Sequence, residues 1–187
     1  ISKNSIISVD KHGTDLKKNH YQWLSLEENT FKKLDVIRNR FNSLCKNKKI
    51  PKSLRLEIHS DFVSEQKSKN ILKLCEEILP LKIYDRLEMY FNKKVAIDNI
   101  HIYRTHSSLN FKNFDRFLYG STDQWHIDRS PVNRIKVFVL LHEINQKHGP
   151  MEFYTYNTKT KKNICGKQND VLIINTNYLL HRATEPN

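Results

Sequence analysis

The sequence predicts a mainly β fold with α-helices, in which a helical layer supports one face of a barrel or sandwich. Apolar residues recur at a helical spacing before residue 95, and from Val95 onward the period shortens to two. Helices followed by a series of short strands, without βαβ alternation, are typical of this class. We therefore expect one domain in the 187 residues, with a helical support region over 1–94 and a β core over 95–187.

Three stretches of the first half predict helices. The first has one apolar face that includes Leu34, Ile37 and Phe41, and it begins after "SLEE". The second covers residues 71–79. Pro80 ends that helix or opens the third, whose apolar face would contain Ile83, Leu87, Tyr90 and Phe91.

The second half contains runs of alternating or continuous apolar residues, separated by Gly, Pro, Asn and Asp, and each run predicts a strand. These runs cover residues 95–105, 124–128, 134–144, 151–156, 170–176 and 178–184. Residues 107–123 are typical of a long loop, which in a compact domain is often a lid or a binding loop.

The charge and the hydropathy restrict the class of partner. A net charge of +12 would favour nucleic acid, but the lysines are scattered, and the densest basic run, 45–55, lacks aromatic residues for base stacking. We expect no nucleic-acid partner, and an anionic small substrate fits the charge equally well.

No apolar run is long enough to span a bilayer and the first residues lack a secretory signal, so we expect a cytoplasmic protein without a membrane partner. Cys45, Cys75 and Cys165 are expected to be reduced thiols because no spacing pairs them.

The segment "QWHIDRS", residues 124–130, contains a candidate metal-binding pair. In a strand, His126 and Asp128 point to one face and their neighbours to the other. An isolated His-x-Asp is more often a hydrogen-bonded pair than a metal site. However, His181 follows in the last predicted strand, and two histidines with one carboxylate form the facial triad of non-haem Fe(II) oxygenases.

The second half resembles the phytanoyl-CoA dioxygenase-like branch of the Fe(II)/2-oxoglutarate-dependent oxygenases, over residues 95–187. The order and spacing of four motifs carry the resemblance. They are Trp125-His126-Ile127-Asp128, Lys136-Val137-Phe138 with Leu141, Gly149-Pro150 and His181-Arg182.

The resemblance implies a double-stranded β-helix, a jelly-roll or cupin-like fold, with the helices packed on one sheet. It implies an Fe(II) ion held by His126, Asp128 and His181, with 2-oxoglutarate and O2 as co-substrates. The implied reaction is hydroxylation, or another oxidation, of a small organic molecule with decarboxylation of 2-oxoglutarate to succinate. Related halogenases carry a small residue in place of the aspartate, so the intact Asp128 favours oxidation over halogenation.

One departure from the family concerns the 2-oxoglutarate 5-carboxylate. The family binds it with an arginine beyond the distal histidine, and the last strand that carries this arginine is missing from the 187 residues. Candidate replacements are Lys136, Arg134 and Arg182. Arg182 directly follows His181 and should face away from it, whereas Arg134 and Lys136 share a face of a strand beside the site. Basic residues at the start of a strand are more often simply solvated.

Four further residues are candidates for substrate contact: Gln124, Arg129, Tyr103 and Arg104. The first two flank the metal motif, and the other two lie on the strand before the 107–123 loop. Two other functions stay open. One is a non-catalytic binding or scaffold protein on the same β fold, which the missing arginine motivates. The other is a nucleic-acid-binding module, which only the charge motivates.

Overall fold

The structure, a computed structural model, describes residues 16–26, 28–47, 55–57, 76, 79, 81–98, 100–105, 124–129, 131, 133–155, 159–184 and 186. The chain divides into two compact units, one formed by Ile1–Ser25 with Ser107–Asn187 and the other by Leu26–His106. Within the described residues, no helix has both the length and the apolar character that a bilayer span requires.

The elements of the first unit are mainly strands. They are α1 (Leu16–Asn19), β1 (Tyr21–Ser25), β4 (Lys136–Val139), a short 3-10 helix (Gln146–His148), β5 (Glu152–Thr155), β6 (Thr160–Asn163), β7 (Asp170–Ile174) and β8 (His181–Arg182). In the part of the second unit that the structure describes, the elements are α2 (Glu28–Asn47), β2 (Arg55–Glu57), α3 (Leu81–Phe91) and β3 (Tyr103–Thr105).

The second unit confirms two of the predicted helices. α2 buries Leu34, Ile37 and Phe41, and α3 buries Ile83 and Leu87. These positions are three or four residues apart, so they lie on one helical face. β2 and β3 pair in an antiparallel manner. Apart from Glu76 and Leu79, the predicted helix over 71–79 lies outside the described residues, and so does the predicted loop over 107–123.

The first unit contains two antiparallel sheets of three strands, with the orders β1-β7-β4 and β6-β5-β8. All five residues of β7 are buried, because β1 and β4 flank this strand on its two edges and the core covers its faces. A strand buried in this way is a continuous apolar run, which explains the sequence "VLII".

The two sheets of this unit share a hydrophobic core. Phe153 of β5 packs edge-on against Tyr21 of β1, with ring centroids 5.0 Å apart. Aromatic pairs in this arrangement gain from the ring quadrupoles in addition to the burial of apolar area. The core also includes Trp23, Leu140, Ile164, Leu172, Ile174 and Leu179.

Several strand predictions are corrected by the structure. β1 lies in the half predicted to be helical, and β6, "TKKN", has no apolar pattern because it is paired only with β5 at a sheet edge. The predicted strands over 95–105, 134–144, 151–156, 170–176 and 178–184 are present but shorter. Residues 124–128 do not form a strand, because His126 makes only a single antiparallel bridge, to His181. The fold is nonetheless mainly β with helices, as predicted.

Candidate metal centre

The structure brings His126, Asp128 and His181 together in the first unit. Each offers one ligand atom, and the three atoms lie within 4.8 Å of one another. The backbone fixes this arrangement: the N–H of His126 donates to the carbonyl of His181, and the reverse bond is also made, both at 2.9 Å. Two residues on, the N–H of Asp128 donates to the Thr176 carbonyl at 3.1 Å. His126 and Asp128 therefore keep the common orientation expected of alternate residues, although they lie outside a regular strand.

Backbone carbonyls select the tautomer of both histidines. Nδ1 of His126 lies 2.7 Å from the Gln124 carbonyl, and Nδ1 of His181 lies 2.9 Å from the Leu179 carbonyl. A carbonyl only accepts hydrogen bonds, so each Nδ1 carries the proton and donates. In the neutral rings both Nε2 atoms then present a lone pair, which is the form that binds metals.

The two Nε2 atoms face the same carboxylate oxygen. Asp128 Oδ1 lies 3.8 Å from Nε2 of His126 and 3.7 Å from Nε2 of His181. Both distances are too long for a hydrogen bond, so these residues are not the hydrogen-bonded His–Asp pair that an isolated motif would favour. The three atoms surround a common point and could hold a metal ion.

The other oxygen of Asp128 is held by two donors. Oδ2 accepts a hydrogen bond from the Thr176 hydroxyl at 2.6 Å and pairs with the ammonium group of Lys136. Burial raises the pKa of the Asp128 carboxyl, but the hydrogen bonds from Lys136 and Thr176 and the charge of Lys136 together outweigh it and leave the pKa below its ordinary value. Asp128 is therefore a carboxylate at neutral pH.

The centre is buried on one side and open on the other. His181 is 3% exposed, and burial lowers the pKa of its imidazole, which keeps it neutral near pH 7. His126 and Asp128 are partly exposed. His126 and Asp128 are therefore accessible to solvent, whereas His181 is not.

The three candidate cations occupy different positions. Lys136, the first residue of β4, contacts Asp128. Arg134 is exposed just before β4, and its N–H donates to the Pro131 carbonyl. Arg182 faces away from the candidate metal ligands, as strand alternation predicts: its Nε and Nη2 lie 2.8 and 2.7 Å from Glu152 Oε2.

The predicted substrate residues lie in both units. Gln124 and Arg129 are exposed beside the candidate metal ligands, and the backbone carbonyl of Gln124 orients His126. Tyr103 and Arg104 belong to β3 in the second unit, where their backbone alone is described. Their role in substrate binding stays a prediction.

Sequence reasoning missed Thr176 and Glu152. Thr176 contacts Asp128 from 48 residues away, and Glu152 contacts Arg182 from 30 residues away. Neither residue belongs to a recognisable local pattern. A threonine directly after a buried strand is a common turn residue, and Glu152 occupies a position in β5 that an apolar side chain could also fill.

No protein-family model and no curated protein matches the chain. Among solved structures, the chain is similar to AviO1 from Streptomyces viridochromogenes Tue57, with a TM-score of 0.56 and 10% sequence identity. This match covers 92% of the chain and 85% of AviO1. At this identity the likeness concerns the fold alone. A protein of Shewanella oneidensis described as an oxygenase matches at a TM-score of 0.38 and 11% identity, over 92% of the chain and 77% of that protein, which is too distant to support an argument.

Proposed function

We propose that this protein is a non-haem Fe(II)/2-oxoglutarate-dependent dioxygenase whose strands form a double-stranded β-helix. The observation that carries the proposal is the convergence of two imidazole Nε2 atoms and one carboxylate oxygen on a common point. Two histidines and one carboxylate are the donor set of non-haem Fe(II) oxygenases. The order of the motifs over residues 95–187, which resembles the phytanoyl-CoA dioxygenase-like branch, supports the same class.

In this proposal His126, Asp128 and His181 hold the metal through Nε2, Oδ1 and Nε2. Three protein ligands leave positions of an octahedral ion open for a co-substrate and dioxygen. The bound iron would supply the activation of dioxygen for the oxidation. The protein would contribute the Asp128 carboxylate and two imidazoles whose Nδ1 atoms are engaged by backbone carbonyls, which leaves both Nε2 atoms to ligate the ion.

Lys136 is the residue that we assign to the 5-carboxylate of 2-oxoglutarate. The ammonium group of Lys136 contacts Asp128, one of the candidate metal ligands. Its side chain is 47% exposed, so the ammonium group can also reach a molecule that enters from solvent. Arg182 already pairs with the buried Glu152, and moving it would leave that carboxylate with one partner fewer. Breaking such a buried pair is costly.

The substrate is proposed to be a small organic molecule that undergoes hydroxylation. The intact Asp128 supports oxidation over halogenation, because the carboxylate occupies the position that a halide would need. Gln124 and Arg129, which are exposed beside the ligands, are proposed to contact this substrate.

Succinate formation tests the proposal. The protein is incubated with 2-oxoglutarate, Fe(II) and ascorbate in air, and the wild type is compared with His126→Ala. His148→Ala is the matched control, since His148 is an exposed histidine of the same unit that accepts a hydrogen bond from the Asn145 N–H. We expect slow turnover in the wild type and the control and none in His126→Ala. A wild type that binds Fe(II) but forms no succinate would contradict the enzyme proposal and favour a non-catalytic binding protein.

A further inference from the structure

Asp128 could bind a metal ion through one oxygen or through both, and the choice determines how many coordination positions remain. A carboxylate is able to ligate a metal in either the monodentate or the bidentate mode. Two histidines and a monodentate aspartate fill three positions of an octahedral ion, whereas a bidentate aspartate fills a fourth. Whatever restrains the second oxygen therefore also preserves the open positions.

Thr176 is placed to restrain that oxygen. Its hydroxyl donates to Asp128 Oδ2 at 2.6 Å, a short bond of the charge-assisted kind. Its carbonyl accepts a hydrogen bond from the Asp128 N–H at 3.1 Å, so Thr176 bonds both the backbone and the side chain of Asp128. Oδ1, which faces the two imidazoles, is left for the ion.

The segment that carries Thr176 is itself held firmly. Thr176 is 4% exposed and follows Asn175, which is fully buried. Asn175 donates its N–H to the His20 carbonyl at 2.8 Å and accepts, through its side-chain oxygen, the N–H of Asn177 at 3.1 Å. These bonds anchor Thr176 independently of Asp128. The hydroxyl is thus a fixed point against which the carboxylate is oriented.

We propose that Thr176 is a positioning residue that keeps Asp128 monodentate, with Oδ1 alone directed at the metal. This inference rests on the metal site of the proposed function. Lys136 also contacts Oδ2, but it is half exposed on a flexible side chain, so it restrains the orientation less than the buried hydroxyl does. The proposal concerns the geometry of the ion's ligands and requires no turnover.

The test uses Co(II) as the metal probe and the full chain without co-substrate. Thr176→Val removes the hydroxyl and keeps the shape of the side chain, and Thr176→Ser restores the hydroxyl. Thr155→Val is the matched control, because Thr155 is a buried residue of the same unit whose hydroxyl bonds the Thr160 carbonyl, away from the three ligands. Thr176→Ala replaces Thr176→Val if the valine variant does not fold.

We expect Thr176→Val to weaken Co(II) binding about 10- to 100-fold, the usual effect of losing a hydrogen bond to a metal ligand. Its visible absorption spectrum should also change, because the freed carboxylate can turn and bind through both oxygens. Thr176→Ser should recover the wild-type spectrum and affinity, and Thr155→Val should keep both. A Thr176→Val protein with wild-type affinity and spectrum would overturn the proposal.

Failure of the metal site itself gives a different result. In that case the wild type would not bind Co(II), or Asp128→Ala would bind it as well as the wild type does. Either outcome would overturn the metal site together with the role of Thr176. Loss of binding in Asp128→Ala with no effect of Thr176→Val would overturn the role of Thr176 alone.

Discussion

Two carboxylates of the first unit have similar partners but differ in how their two oxygens are engaged. Glu152 and Asp128 are both paired with cations, and both have a pKa below the ordinary value although burial alone would raise it. Lys161 occupies Oε1 of Glu152 and Arg182 occupies Oε2, so both oxygens are engaged. In Asp128, Thr176 and Lys136 share one oxygen, and the other faces two imidazoles at 3.7 and 3.8 Å.

The Glu152 ion pair and the candidate metal ligands lie on opposite sides of the same chain segments. Arg182 is the neighbour of His181, and it stacks over Trp125, the neighbour of His126, at 4.8 Å from the ring centroid. Trp125 also packs against Tyr154, with ring centroids 4.6 Å apart. Alternation along the chain therefore places the Arg182–Glu152 ion pair and the Trp125 ring on the side of the chain opposite the two histidines. Glu152 thus has both oxygens engaged by cations, whereas Asp128 keeps one oxygen directed at two imidazoles.

Asp128→Asn should have the largest effect on metal binding. Thr176 and Lys136 donate at the Oδ2 position and would draw the amide oxygen there, which turns the NH2 group toward the two Nε2 atoms. An NH2 group cannot ligate a metal, so we expect Co(II) binding, measured by calorimetry, to weaken by at least about 100-fold. Glu152→Gln is the isosteric counterpart. It should leave the Co(II) affinity within about threefold of the wild-type value, since Glu152 does not contact the candidate ligand atoms directly. Equal losses in both variants would contradict the distinction.

Glu152→Gln should instead lower the stability of the protein. The substitution leaves Lys161 and Arg182 with a neutral partner, and both cations are partly exposed, so water compensates some of the loss. We expect the free energy of unfolding, measured with denaturant, to fall by about 1–3 kcal/mol. Glu143→Gln is the control, since Glu143 is exposed in the same unit, and its effect should stay within about 0.5 kcal/mol. An equal effect of the two substitutions would show that the ion pairs of Glu152 contribute little.

Lys136→Met tests the cation that pairs with Asp128. If Lys136 binds the 5-carboxylate of 2-oxoglutarate, its loss removes a charge-assisted hydrogen bond, and the KM for 2-oxoglutarate should rise about tenfold or more. Arg182→Met should leave this KM near the wild-type value and act through stability. The measurement is succinate formation at varied 2-oxoglutarate. A larger rise in KM for Arg134→Met than for Lys136→Met would reassign the role to Arg134.

The sequence predicts the candidate metal ligands better than the residues that hold them in place. The helical spacing of Leu34, Ile37 and Phe41 and the apolar run of β7 are local patterns, and the structure confirms both elements. The metal motif is also local, because alternation orients His126 and Asp128 together. β6 was missed because a charged edge strand carries no apolar period. Thr176 and Glu152 acquire their roles only through contacts across the fold, which no single-sequence pattern contains.

The smallest expected effect is the acid dependence of stability in the metal-free protein. The folded-state pKa of Glu152 lies below the ordinary 4.5. The unfolded chain therefore binds a proton at this residue before the folded protein does, and stability falls as the pH drops from about 4.5 through the folded pKa. Glu152→Gln removes this titration, so its stability should decline less steeply than that of the wild type below pH 4.5. The pKa of Asp128 is also lowered, from 3.8, so this residue too makes stability fall as the pH drops. Part of the pH dependence of stability therefore remains in Glu152→Gln. Denaturant unfolding between about pH 3 and 6 measures both slopes, and parallel curves would mean that the ion pairs of Glu152 persist in the unfolded chain or are too weak to affect stability.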